Sequence, residues 1–153
     1  MFWFEQVFLF LFKVVIFVVM AAPKHNVCLI DDDKIYQFTA RKIVEATGLA
    51  KNILSFINGK EAIDFFLANQ SKELDQLPNV IFLDINMPIM NGWQFLDAFD
   101  KLNSKLHKAI TIFVVSSSVD DTDIKKSKQY NTVKDYIVKP ISRIKYQQLL
   151  EEL

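Results

Sequence analysis

From residue 26 onward, short apolar runs alternate with longer stretches whose apolar residues recur every three or four positions. The first pattern predicts strands and the second amphipathic helices. NVCLI (26–30) reads as a first strand. Ile35 to Thr47 reads as a helix with Ala40, Ile43 and Val44 on one face, stopped by Gly48. ILSF (53–56) is a weaker second strand. Asn58 caps the helix after it, which runs to about Asn69 with Ile63, Phe66 and Leu67 as its inner stripe. A polar connection, SKELDQLP, leads into a third strand, VIFL (80–83). The next helix begins near Gly92 and sets Phe95, Leu96, Phe99 and Leu102 at helical spacing. AITIFVV (109–115) is a fourth strand, Asp120 to Gln129 a polar helix, and DYIV (135–138) a fifth strand. The last predicted helix, Ser142 to Leu153, places Tyr146, Leu149, Leu150 and Leu153 on one face. Five strand–helix units of this size predict one parallel sheet with helices on both faces. In such sheets ligands bind beyond the carboxyl ends of the strands.

The residues just past those ends form a chemical inventory. Asp31, Asp32 and Asp33 follow the first strand, and Asp84 follows the third. Ser116, Ser117 and Ser118 follow the fourth, and Lys139 and Pro140 the fifth. Carboxylates gathered at one point repel each other unless a cation sits among them, and hard oxygen ligands favour magnesium. A carboxylate can also attack a phosphoryl group, giving an aspartyl phosphate. The charge on the transferring oxygens then calls for a metal, an ammonium and a hydroxyl donor. Asp31 and Asp32 can supply the metal site, Asp84 the nucleophile, Lys139 the ammonium and Ser116 the hydroxyl. On this reading Asp84 stands exposed at the mouth of a buried strand because it reacts.

LIDDD, FLDINMPIMNG, VVSSS and YIVKP, in that order, resemble the receiver domain of two-component response regulators over roughly residues 26–153. The resemblance implies a flavodoxin-like (βα)5 fold with strand order 2-1-3-4-5. It makes Asp84 the phosphoacceptor, charged by a histidine kinase or phosphotransfer protein. Asp32 would ligate Mg2+ directly, Asp31 largely through water, and Asn86 through its backbone carbonyl, with Asp84 completing the set. Ser116 and Lys139 would bind the phosphoryl oxygens, and Tyr136 matches the family's aromatic switch, which turns inward when Ser116 is drawn to the phosphate. Pro140 matches a proline that follows a cis peptide bond. Output would pass to a downstream protein through about residues 120–153. Ser116 stands for the commoner threonine, and Asn91-Gly92 for Asp-Gly. Side chains at Asn86 and Ser118 lie where the family tunes the lifetime of the aspartyl phosphate. With no further domain after the last helix, the expectation is a stand-alone switch that catalyses only its own phosphoryl transfer and autodephosphorylation.

Composition narrows the alternatives. The 153 residues carry 18 basic and 18 acidic side chains, so no basic excess points to nucleic acid. Cys28, the only cysteine, lies in an apolar run and excludes an internal disulfide. These features fit a cytoplasmic protein. Residues 1–22 are set apart from the domain expected at 23–153: they hold six of the fourteen phenylalanines and only two charges, Glu5 and Lys13. Two readings stand for that segment. It is a membrane anchor, or an upstream artefact of a true start at Met20.

Two other functions compete. A haloacid-dehalogenase-like phosphatase uses the same residue types, but its Asp-x-Asp precedes the acidic pair, and here the order is reversed. A receiver-like binding module that works without phosphate keeps the fold and drops the chemistry. Asp33 is assigned to a helix cap, Ser117 and Ser118 to turns, and Trp93 to the flank of a helix start.

Overall fold

Val80–Leu83, the strand that ends just before Asp84, is buried on both faces. In the computed structural model, which describes residues 2–20, 24–70 and 76–153, this segment (β3) is the centre of a five-stranded parallel sheet. The other strands are β1 (His25–Ile30), β2 (Ala50–Phe56), β4 (Thr111–Ser116) and β5 (Val133–Val138), in the order β2-β1-β3-β4-β5. The connecting helices are α2 (Lys34–Thr47), α3 (Gly59–Ala68), α4 (Gly92–Asn103), α5 (Asp121–Ser127) and α6 (Arg143–Glu151), after an N-terminal α1 (Phe2–Met20). The flavodoxin-like fold and its strand order stand as expected. Part of the polar connection, residues 71–75, lies outside the described residues.

Two cores flank the sheet, because successive strand residues point to opposite faces. Ile30, Ile81 and Leu83 meet α3 and α4 through Ile63, Phe66, Phe95 and Phe99. Leu29, Phe82 and Phe113 meet α2 and α6 through Ala40, Val44, Tyr146 and Leu150. Leu67 and Leu153, expected inside, are 51% and 41% exposed. The inner stripe of α3 uses Ala62 in place of Leu67. Leu153 lies past the end of α6, so its helical register is lost.

Caps and stops follow the residue chemistry. Asp33 caps α2, accepting from the backbone N–H of Ile35 and Tyr36. Asn58 caps α3, and Asn91 forms a full capping box with Gln94 on α4. Gly48 ends α2 in the left-handed conformation at φ 72°. Strands β2 and β5 start earlier than their apolar runs because their polar first halves still pair with one neighbour.

α1 exposes Phe2, Trp3, Phe4, Phe8, Phe10 and Phe12. Among the described residues no helix is long and apolar enough to cross a membrane. The anchor expected over residues 1–22 extends into positions 14–22, whose side chains lie outside the described residues.

Candidate functional site

Sheet register decides which side chains meet. Ile30 of β1 pairs with Leu83 of β3, so Asp31 and Asp84 each follow the last paired residue of adjacent strands. Such strands lie about 4.8 Å apart. The Asp84 N–H still donates to the Ile30 carbonyl at 2.8 Å, which fixes the second carboxylate beside the first. Val138 of β5 pairs with Ser116 of β4, and the Lys139 N–H donates to the Ser116 carbonyl at 2.9 Å. Lys139 thus springs from a strand two spacings, roughly 10 Å, from β3. Its four-carbon stem and the carboxylate side chains together span that gap.

The Lys139 ammonium donates to Asp31 Oδ2 at 2.5 Å and lies 3.5 Å from Asp84 Oδ2. Asp31 Oδ1 accepts from the Asp33 N–H at 2.9 Å, so both of its oxygens are engaged. Asp84 Oδ1 receives only a 3.3 Å bond from the Asn86 N–H. Of the two buried carboxylates, Asp84 is the more weakly held. Oxygens of Asp31, Asp32 and Asp84 all lie within 4.8 Å of one another, a hard, anionic donor set that fits a divalent cation such as Mg2+. Asp32 is the exposed member.

One expectation is corrected. Asp84 is not exposed at the strand mouth: it is 6% exposed, and Asp31 is 4% exposed. The segment after Asp84 folds back, with the Gly92 N–H donating to the Ile85 carbonyl, and Lys139 closes over the carboxylates from β5. Burial shifts the protonation equilibria. It raises Asp84 above the usual carboxylate range, the Lys139 charge opposes that, and the neighbouring Asp31 adds to it. Asp31 is raised by burial against the hydrogen bond from Lys139. Burial disfavours the Lys139 ammonium, but the Asp31 hydrogen bond and the charges of Asp84 and Asp31 outweigh it, so Lys139 titrates above its ordinary value.

The remaining expected residues fall nearby. Ser116 is fully buried, its hydroxyl accepting from the Ser118 N–H at 3.0 Å. Tyr136 is half-buried against the core beneath α4, and its hydroxyl donates to the Ser118 carbonyl at 2.9 Å. The Lys139–Pro140 peptide is cis. Asn86 is exposed, while the Ser118 hydroxyl donates to Asp123 at 2.7 Å and is thereby tied to α5. Trp93 does more than flank its helix: it stacks on Tyr130 at 6.2 Å with the Lys126 ammonium 4.6 Å from its ring centre.

Two supporting residues were not legible as such. Gln37 donates to the carbonyls of Asp31 and Phe56 at 2.8 and 2.6 Å, tying the acidic loop to β2. Tyr36 places its ring 4.2 Å from the Lys139 ammonium. Neither position carries a sequence signal beyond lying in the first turn after the acidic run.

Comparisons with known proteins bear on the fold and the family. The family model described as response regulator receiver domain matches residues 27–151. The crystal structure of a two-component response regulator from Cytophaga hutchinsonii is 30% identical, with a TM-score of 0.75, covering 84% of this chain and 96% of that one. A response regulator receiver protein from Dyadobacter fermentans is 27% identical, with a TM-score of 0.70, covering 83% and 95%. Protein PilG of Pseudomonas aeruginosa is 31% identical over 118 residues, 77% of this chain and 78% of that protein. With the family model matching residues 27–151, the chain belongs to the response regulator receiver domain family.

Proposed function

We propose that this receiver is a phosphorylation-controlled signalling switch with Asp84 as its phosphoacceptor. The observation that carries the reading is the division of labour around one ammonium: Asp31 is held by bonds of 2.5 and 2.9 Å from Lys139 and Asp33, whereas Asp84 has only a 3.3 Å bond from Asn86 and stands 3.5 Å from the same cation. A carboxylate oxygen of Asp84 forms the new bond to phosphorus. The nitrogen–phosphorus bond of a donor phosphohistidine breaks, and its electron pair stays with the imidazole. Lys139 and the Ser116 hydroxyl then hold the phosphoryl oxygens. Asp31, Asp32, Asp84 and the Asn86 carbonyl would hold Mg2+, which supplies charge neutralisation at the transferring group.

The readout is a population shift. Drawing Ser116 toward a phosphoryl group removes the acceptor of the Ser118 N–H, and Ser118 also anchors Tyr136 and Asp123. Movement of that single residue therefore reaches β5 and α5, and a downstream protein reads residues 120–153. A histidine kinase or phosphotransfer protein is the upstream partner. Residues 23–153 are the switching unit, and residues 1–22 form a separate segment. Beyond its own phosphoryl transfer and autodephosphorylation the domain turns over no substrate.

Intact-mass analysis of the full chain with Mg2+ and acetyl phosphate tests the reading, beside Asp84→Asn. Asp84 attacks phosphorus, the bond to the acetate oxygen breaks, and acetate leaves. One phosphoryl adduct on wild type and none on Asp84→Asn is expected. An unmodified wild type that still binds Mg2+ would overturn it.

A further inference from the structure

We infer that Tyr36 is a positioning residue for phosphoryl transfer: its ring is a seat that keeps the Lys139 ammonium on the site while its hydrogen bonds pass from Asp31 to the phosphorylated Asp84. The inference rests on the phosphoacceptor reading above.

The ring is pinned at both ends. Its backbone N–H donates to the Asp33 cap at 3.0 Å, and its hydroxyl lies 3.3 Å from that of Tyr146. Tyr146 is itself 1% exposed and packs edge-on against Phe82 of β3, ring centres 5.0 Å apart. Phe82 sits two residues before Asp84, so the strand that presents the phosphoacceptor also braces the tyrosine pair. What remains free is the ring face, and Lys139 lies over it at 4.2 Å.

A ring face suits this task better than another polar group would. Lys139 has three N–H donors, and its strongest tie is to Asp31 at 2.5 Å. To serve a phosphoryl group it must release part of that tie without leaving the pocket. A further carboxylate would hold the ammonium in one direction and compete with phosphate. The π face attracts the cation without a directed lone pair, so the N–H groups can turn. Cation–π attraction at such a half-desolvated position corresponds to about tenfold in an equilibrium or rate. The competing account, in which Tyr36 only fills space between α2 and α6, predicts that any well-packed apolar side chain serves equally.

The full chain is compared with Tyr36→Phe and Tyr36→Leu, using Mg2+ and acetyl phosphate, with the initial rate of adduct formation followed by intact mass. Carbon-13 lysine labelling gives the Lys139 ε-methylene proton shift, which a ring face displaces upfield independently of any reaction. Tyr36→Phe should keep the displaced shift and a rate within about twofold of wild type. Tyr36→Leu should lose the displacement and slow about tenfold. Should Tyr36→Leu fail to fold, Tyr36→Met, of similar length, takes its place. A wild-type rate in Tyr36→Leu would overturn the proposal, as would Tyr36→Phe slowed to the level of Tyr36→Leu. Slowing without loss of the shift displacement would assign the defect to packing and also overturn it. A wild type that shows the displaced shift but takes no phosphoryl group would instead sink the phosphoacceptor reading, and the positioning role with it.

Discussion

The Nζ of Lys139 lies 2.5 Å from Oδ2 of Asp31, an ion pair closed between residues 108 positions apart and only 13% and 5% exposed at their side chains. Its net worth to folding is small, because desolvation of both ions offsets their attraction. Removing one partner is another matter. Lys139→Ala leaves Asp31 and Asp84 buried side by side with no ammonium between them, at a cost of about 3 kcal/mol. Mg2+ binds the folded carboxylate set and not the dispersed one, so saturating Mg2+ should restore most of that loss. Urea unfolding with and without Mg2+ reads both effects. Equal stability of Lys139→Ala and wild type in chelator would show that the ammonium does not hold the carboxylates together.

Asp84 should behave in the opposite way. Burial, partly countered by Lys139 and reinforced by Asp31, places its native carboxyl above the ordinary value of 3.8. The native state therefore resists ionisation more than the unfolded chain does, and this group's contribution is fully present below 3.8 and lost as pH rises through the raised native value. At neutral pH an ionised Asp84 thus weakens the fold. Asp84→Asn should stabilise the protein by about 1 kcal/mol at pH 7, with a gain that shrinks on acidification. A variant less stable than wild type at pH 7 in chelator would contradict this.

Much of this was readable before the structure. All five strands, and the residues past the ends of the first, third, fourth and fifth, followed from apolar runs, although β2 and β5 begin in polar residues that those runs leave out. Burial of Asp84 was not readable. A position one step past a strand looks open in one dimension, and the cover comes from Lys139, 55 residues away, through a register that no local pattern encodes. Tyr36 was silent for a related reason: it acts through Tyr146, 110 residues on. Leu67 kept the helical spacing of an inner residue, but Ala62 filled the available space against the sheet.

Gly92 shows how a turn-like pair can have a packing cause. The Asn91-Gly92 pair suits a turn, yet Asn91 is the cap of α4 and Gly92 its first helical residue. A Cβ at Gly92 would fall 2.5 Å from the Asp84 carbonyl oxygen and 2.6 Å from the Ile85 Cα, both backbone atoms. Gly92→Ala must therefore displace the segment that carries Asp84. The expected cost is about 2–3 kcal/mol, with slower adduct formation from acetyl phosphate. Gly48→Ala is the comparison: its site is open but left-handed at φ 72°, so about 1 kcal/mol is lost and the phosphorylation rate is unchanged. Matching effects on rate from the two variants would remove Gly92 from the support of Asp84.

Ile89, in the same segment, adopts φ 69° while 80% exposed. A β-branched residue is strained there and gains little from burial. Ile89→Gly should raise the unfolding free energy by about 1 kcal/mol in a denaturant titration. A loss of stability would mean that the side chain makes contacts worth more than the strain.

At the opposite end of the sheet, His25 should make the fold acid-sensitive in the physiological range. Its Nδ1 lies 2.8 Å from the Asn79 amide nitrogen, and the same amide's oxygen accepts from the Asn26 N–H at 2.8 Å. That second bond fixes the amide, so Nδ1 has to be the acceptor and the ring neutral. Burial lowers the histidine below 6.5, a hydrogen bond to the Leu150 backbone opposes this, and the Lys24 charge adds to the lowering. A depressed native value means that the unfolded state takes up the proton first. The stabilising contribution is then present above 6.5 and lost as pH falls through the lowered native value. Protonation would also set two donors face to face, and turning the amide would break its bond to Asn26. Unfolding free energies measured between pH 7.5 and pH 5 should fall for wild type and run flatter for His25→Gln. Parallel curves for the two proteins would show that His25 does not set the slope.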